Sequence, residues 1–220
     1  MRPVFFLTAA LACVQNLDRT DSGDTAAGDV EPTLLDAAAG AVEDGTTLHL
    51  NDVVVSTLAT TDGGSFFIQS LGGGAGMRVD LAYPGSVDWV RPGDTLNLIG
   101  VLDTTAGSAV LDVWEPDWIS RTGAVEPPAP AALSLDGPPR AADAGRLVRL
   151  SGITTAGCPD AVGNVSLTEA LLLVDRLAPV GALDDGASIA TLDGVLVQIS
   201  ARWELWVVSM SGISGGAACP

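Results

Sequence analysis

Few residues of this chain are of the kinds that carry catalysis. Its 220 residues hold one histidine, three cysteines and 27 acids. His49 sits between Leu48 and Leu50, an alternation that puts it on the outer side of a strand. One histidine cannot build a His-rich metal site, and a Ser-His-Asp triad would need a nucleophile elbow, which is absent from the sequence. Carboxylates are plentiful, yet no Asp-x-Asp-x-Asp-Gly calcium loop occurs; Asp62-Gly63-Gly64 and Asp184-Asp185-Gly186 read as turns. Gly72-Gly73-Gly74-Ala75-Gly76 has the composition of a phosphate loop without its Lys-Ser/Thr ending, and reads as a hairpin tip. The expectation is a non-enzymatic protein with no cofactor and no metal.

The charge narrows the partners. All ten basic residues are arginine, and the formal net charge is −17. Binding to phosphate backbones runs on Lys and Arg, so nucleic acid is an unfavoured partner. The acidity is uneven. Residues 14–46 hold eight acids against Arg19, the following β-rich stretch ten against three, and the last stretch nine against five. No run of 18 apolar residues exists to form an ordinary membrane-spanning helix.

The first residues read as an export signal. Arg2 supplies the positive end, Val4–Ala12 the apolar run, and small residues the cleavage site. Ala10-Leu11-Ala12-Cys13 resembles the lipobox of bacterial lipoproteins, although that family places Leu where Ala10 stands. The resemblance implies a diacylated Cys13 and a membrane partner through that lipid; Ala10-x-Ala12 also suits ordinary signal cleavage. Val14 after Cys13, by resemblance to Gram-negative lipoproteins, implies the outer membrane. The small polar and acidic residues that follow read as a disordered leash. With Cys13 lipidated, Cys158 and Cys219 form an even pair and are expected as a disulfide in an oxidising compartment.

Past residue 46 short apolar runs alternate with Gly, Asp and Thr turns, the pattern of a small all-β barrel or sandwich. At most one short helix fits, in Pro84–Val90. A Pro-rich linker over 126–138 marks a boundary, after which the pattern restarts. Gly45–Val53 aligns with Gly145–Ile153; Gly100-Val101-Leu102 and Leu111-x-Val113 align with Gly194-Val195-Leu196 and Leu205-x-Val207. That order argues duplication. Gly152, and Asn51-Asp52 in the first copy, mark a bend in a long first strand.

Five strands with a bent first strand follow the plan of the OB-fold. Leu48–Val113 resembles OB-fold domains of secreted bacterial proteins, where they accompany nucleases, and the tandem arrangement resembles envelope lipoproteins of Gram-negative bacteria. The expected fold is all-β: a signal peptide over 1–12, Cys13 and an acidic linker to residue 40, then two five-stranded OB-like barrels over 41–125 and 139–220. The resemblance implies a ligand face on strands two and three, here Phe66, Phe67, Gln69, Met77 and Arg78. One phenylalanine should face in and the other out, the outer one either stacking a ligand or packing on the other barrel. Trp114 and Trp118 are expected at the contact between barrels rather than as a sugar platform, the alternative for such a pair, and one of Trp203 and Trp206 is expected in a core. The expected function is an envelope lipoprotein with binding or spacer modules for an unknown protein or glycan. The alternative is single-stranded nucleic-acid binding, with the second copy as the better candidate.

Overall fold

The computed structural model describes residues 31–85, 87–168, 171–181 and 183–219. The export segment and Cys13 lie outside them. The fold is all-β, and the described chain forms one compact unit.

The first module consists of β1 (Thr47–Val55), β2 (Ser65–Gln69), β3 (Gly76–Leu81), β4 (Asp94–Asp103) and β5 (Val110–Val113). β1, β2 and β3 form an antiparallel meander, β5 lies parallel to β3, and β4 pairs antiparallel with both β5 and β1. The last pairing closes a five-stranded barrel. A sixth strand that the sequence reading missed, β6 (Ile119–Ala124), runs along the first half of β4.

The bend in β1 falls where expected. Asn51 and Asp52 stand opposite Asn97 alone, which bulges the strand, and Asp52 takes φ +51. Its amide donates to Asn97 Oδ1 at 3.0 Å, and Thr122 donates to its carboxylate. One hundred residues later Gly152 takes φ +62. There the left-handed geometry comes free of a side chain.

The barrel ends are filled from two directions. The expected helix in Pro84–Val90 is absent among the described residues of that stretch, which are turns. Val87 and Val90 nevertheless reach into the core. A helix forms instead at α1 (Leu34–Ala38), inside the stretch read as leash. Thr33 and Asp36 make a reciprocal capping box, and Leu34 and Ala37 join the barrel core. The acids there obscured an apolar i, i+3 pair that a barrel end can bury.

The second module is β7 (Ala131–Ala132), β8 (Leu147–Thr154), β9 (Val165–Thr168), β10 (Leu171–Val174), β11 (Ser188–Ile199) and β12 (Arg202–Ser214). Its order, β7-β8-β11-β12-β10-β9, repeats the first module's pairings except that of β1 with β2. β10 is again parallel to β12, and β11 again joins β12 to β8. No ladder links β8 to β9, so this sheet is not closed, contrary to the expected second barrel. One backbone bond, from the Ala156 amide to the Ser166 carbonyl, crosses where Ser56 donates to Phe67 in the first module. β12 fuses the counterparts of β5 and β6 into one strand. The end of the Pro-rich linker is pinned as β7 on the edge of β8, with Leu133 and Leu135 packed on the core.

The duplication is legible in atoms as well as in sequence. A β-carbon on Gly100 would lie 2.6 Å from Leu111 Cγ, and one on Gly194 would lie 2.8 Å from Leu205 Cγ. Both glycines let the fourth strand cross tightly over the fifth. Cys158 and Cys219 form the expected disulfide, with Cα atoms 5.6 Å apart.

Candidate binding surfaces

Alternation along β2 divides the expected ligand face. Phe66 and Met77 point into the barrel and are fully buried there. Phe67, Gln69 and Arg78 point outward, but not into solvent. Phe67 is 0% exposed and packs with Leu147, Val174, Val195, Val197 and Trp206 of the second module. Its ring meets Trp206 edge-on at 5.5 Å, an arrangement favoured by the ring quadrupoles. Arg78 lies 5.6 Å over the Trp206 ring while its guanidinium pairs with Asp80 at 2.8 Å. Gln69 Oε1 accepts from the Leu147 amide at 3.3 Å. The face offered to a ligand is therefore covered, and the second module covers it.

The reason lies in the outer face of the second sheet. Leu192, Leu196 and Leu205 fill that module's own core, while Val195, Val197 and Trp206 make an equally apolar opposite face. Such a sheet must be covered on both sides. The signal was present in Val195-Leu196-Val197 and Trp206-Val207-Val208, which are continuous apolar runs rather than alternating ones. Trp203 and Trp206 fall on opposite faces, as expected, and both are buried. Trp206 donates from Nε1 to Glu204 at 2.9 Å, and Glu204 also accepts from Arg202.

Backbone contacts strengthen the seam. The β4–β5 loop meets the end of β11 as a strand would: Ser108 donates to the Gln198 carbonyl at 3.0 Å, Ser200 donates to Ala106 at 2.6 Å, and Gly107 bridges Ile199. On the other flank the Thr61 amide donates to the Arg176 carbonyl at 3.1 Å. Between the flanks only about 100 Å³ stays open, beside Phe67, Arg78 and Gln198.

A polar cleft of about 610 Å³ opens beyond Thr61, lined by Asp160, Asn164, Arg176, Arg202 and Glu204. Arg176 lies 5.9 Å over Trp206 and makes no ion pair among the described residues. Amide donors led by Asn164 hold the Asp160 carboxyl below the usual range. This cleft mixes both signs of charge and brings no nucleophile against a base.

The remaining candidates resolve locally. His49 is exposed on β1. Asp62 caps its own turn, accepting from Thr60 and the Gly64 amide, which lowers its pKa. No group of three or more His, Cys, Asp or Glu stands ready to hold a metal among the described residues. Trp114 and Trp118 do not reach the seam, contrary to expectation. They stack on each other at 6.5 Å, Trp118 against the first core and Trp114 in solvent. The β5–β6 loop that carries them belongs to the first module's own rim. No protein-family model matches this chain, and the comparisons with curated proteins and with solved structures return no match.

Proposed function

We propose that this protein is a non-enzymatic envelope lipoprotein: a lipid at Cys13, an acidic leash, and two OB-like modules joined as one rigid binding or spacing unit. The strand order of the first module, closed through β1 and β4, is that of an OB barrel; the second carries the same order without closure. The observation that carries the reading is the seam. The face on which OB barrels take ligands is spent on internal docking through Phe67, Gln69 and Arg78, which suits a rigid unit better than a catalytic one. The signal-like start and the single cysteine before an acidic stretch support the anchor.

Nucleic-acid binding draws less support. The outward phenylalanine that would stack a base is buried, and four of the second module's five arginines, Arg140, Arg146, Arg149 and Arg202, face Asp143, Asp193 and Glu204. Labelled palmitate should tag the wild type and not Cys13→Ala; label on both sinks the anchor. Crosslinking in the native envelope should capture a protein or glycan partner. Saturable binding of a single-stranded oligonucleotide at low salt would instead favour the nucleic-acid reading.

A further inference from the structure

The solvent-facing aromatics of the described chain lie in two connections that leave one end of the closed barrel. Tyr83 and Trp89 lie in the β3–β4 connection, Trp114 and Trp118 in the β5–β6 connection. β3 and β5 run parallel, with Leu81 beside Val113 and the Ala82 amide donating to the Val113 carbonyl. Both connections therefore leave from the same rim. Tyr83 is 56% exposed, Trp89 44% and Trp114 53%. Trp118 anchors its stacked partner on the core.

The second module shows that the fold does not require these rings. Val180 and Leu183 fill its core at the spacing of Val87 and Val90. Two residues after Val87 stands Trp89, whereas two after Val180 the sequence has Ala182. The β5–β6 loop has no counterpart at all. Ile119 pairs with Leu98 six residues after Val113, while Met210 pairs with Leu192 three residues after Val207. The first module thus carries three extra residues, bounded by tryptophans, that its strand pairing does not demand. Exposed aromatics on one rim that the equivalent rim of the second module lacks mark an interaction surface.

The polar groups among the rings select the ligand. Asp88, Glu115 and Asp117, their neighbours in sequence, are exposed as well. Carboxylates only accept hydrogen bonds, so a complementary ligand brings donors. It must also bring C–H faces, whose slight positive charge meets the negative face of an aromatic ring. Pyranose sugars offer both. Polyanions and anionic lipid surfaces are repelled by the same carboxylates. Proline-rich peptides offer carbonyl acceptors and lack the amide donors that carboxylates seek.

We infer that this rim is a platform for a neutral, hydroxyl-rich oligosaccharide, stacked on Trp114 and Trp89 and held by Asp88, Glu115 and Asp117. The inference rests on the reading of the modules as non-enzymatic binding units and names their ligand class.

The test uses the mature full-length protein on a panel of neutral glucans, galactans and chitin-type oligomers. The expected result is saturable binding of at least one class with a Kd of about 1 mM or tighter, read by shifts of the indole N–H signals of Trp89 and Trp114. Trp114→Ala and Trp89→Ala should each weaken it at least about tenfold with the melting temperature retained, since neither ring is buried. Failure of every glycan to bind, or undiminished binding by both variants, overturns the proposal. So does binding of anionic vesicles or an oligonucleotide that the variants abolish. Palmitate labelling at Cys13 is read separately, so loss of glycan binding with labelling intact removes this inference alone.

Discussion

Gly76 and Gly145 meet backbone to backbone at the seam: a β-carbon on Gly76 would lie 2.1 Å from the Gly145 carbonyl oxygen. Gly145 takes φ +73, whereas Gly76 lies outside the left-handed region and is free of side-chain strain. Gly76→Ala therefore isolates the contact. Neither neighbour is a flexible side chain that can step aside, so the modules must separate locally or β3 must shift. The expected loss is about 1–3 kcal/mol, the range of overpacked interiors. A urea titration should show an earlier midpoint, and amide exchange should quicken at Leu147 and Gln198, whose amides donate across the seam to Gln69 and Ser108. Unchanged exchange at both positions would mean that the seam is not held there.

The Phe67–Trp206 pair should be coupled. Trp206 is 6% exposed and joins Phe67, Arg78 and Arg176 around one indole. Trp206→Ala is expected to cost about 3–5 kcal/mol, and it also leaves Glu204 short of its indole donor. Phe67→Ala should cost a similar amount. A double-mutant cycle should return a coupling of about 0.5–1.5 kcal/mol, the worth of an edge-to-face pair beyond its buried area. Strict additivity in chemical denaturation would contradict the contact.

Much of the architecture was legible from particular residues. Gly152 and Asn51-Asp52 announced the bend, because only a few residue types meet that backbone demand. Period two separated Phe66 from Phe67 correctly. What alternation could not say is what lies beyond the outward side. An outward phenylalanine reads the same over water as over a second sheet, and the deciding apolar face sits more than 100 residues away, on Val195, Val197 and Trp206. The open edge between β8 and β9 was equally hidden, since neither strand's own residues say which neighbour it lacks. α1 escaped because local acidity suggested solvation while Leu34 and Ala37 had a barrel end to fill.

Asp112 is expected to weaken the fold at neutral pH. Burial raises its pKa above the usual 3.8, and the neighbouring Asp80 and Asp103 raise it further, against the attraction of Arg78. The folded state thus binds this proton more tightly than the unfolded chain does. Stability falls as pH rises from 3.8 through the folded pKa, and the full penalty applies above it. Asp112→Asn should raise the melting temperature at pH 7, with the gain shrinking to nothing as the pH drops below the unfolded value. Asp62 and Asp103 run the other way, their anions favoured by Thr hydroxyl donors, so the wild type still loses their share on acidification. A gain independent of pH would assign the effect to something other than ionisation.

Gly152 and Asp52 offer a paired test of the bend. Nothing lies within 4 Å of a β-carbon built on Gly152, so Gly152→Ala meets no neighbour and feels only its φ of +62. The expected cost is about 1–2 kcal/mol, the penalty of left-handed backbone for an ordinary residue. Gly152→Asn should cost less, because Asn tolerates that region. Asp52→Gly relieves the same strain in the first module but removes the acceptor of Thr122, so its net effect should be small. Equal midpoints for Gly152→Ala and wild type would show that the strand straightens when asked.

The Cys158–Cys219 bond should matter most to the open module. It ties the loop after β8 to the chain end across 61 residues, and the same end is held at Ala217, which exchanges backbone bonds with Asp185. A loop of that length is worth about 4 kcal/mol when its closure entropy is removed from the unfolded state. No ladder secures β8 to β9, so the covalent link limits how far that edge can spread. Reduction, or the Cys158→Ser/Cys219→Ser variant, should lower the denaturation midpoint and expose the β8–β9 edge to amide exchange first. The closed barrel of the first module should keep its protection under the same conditions. Identical midpoints with and without reductant would show that the two hydrogen bonds at Ala217 suffice to hold the chain end.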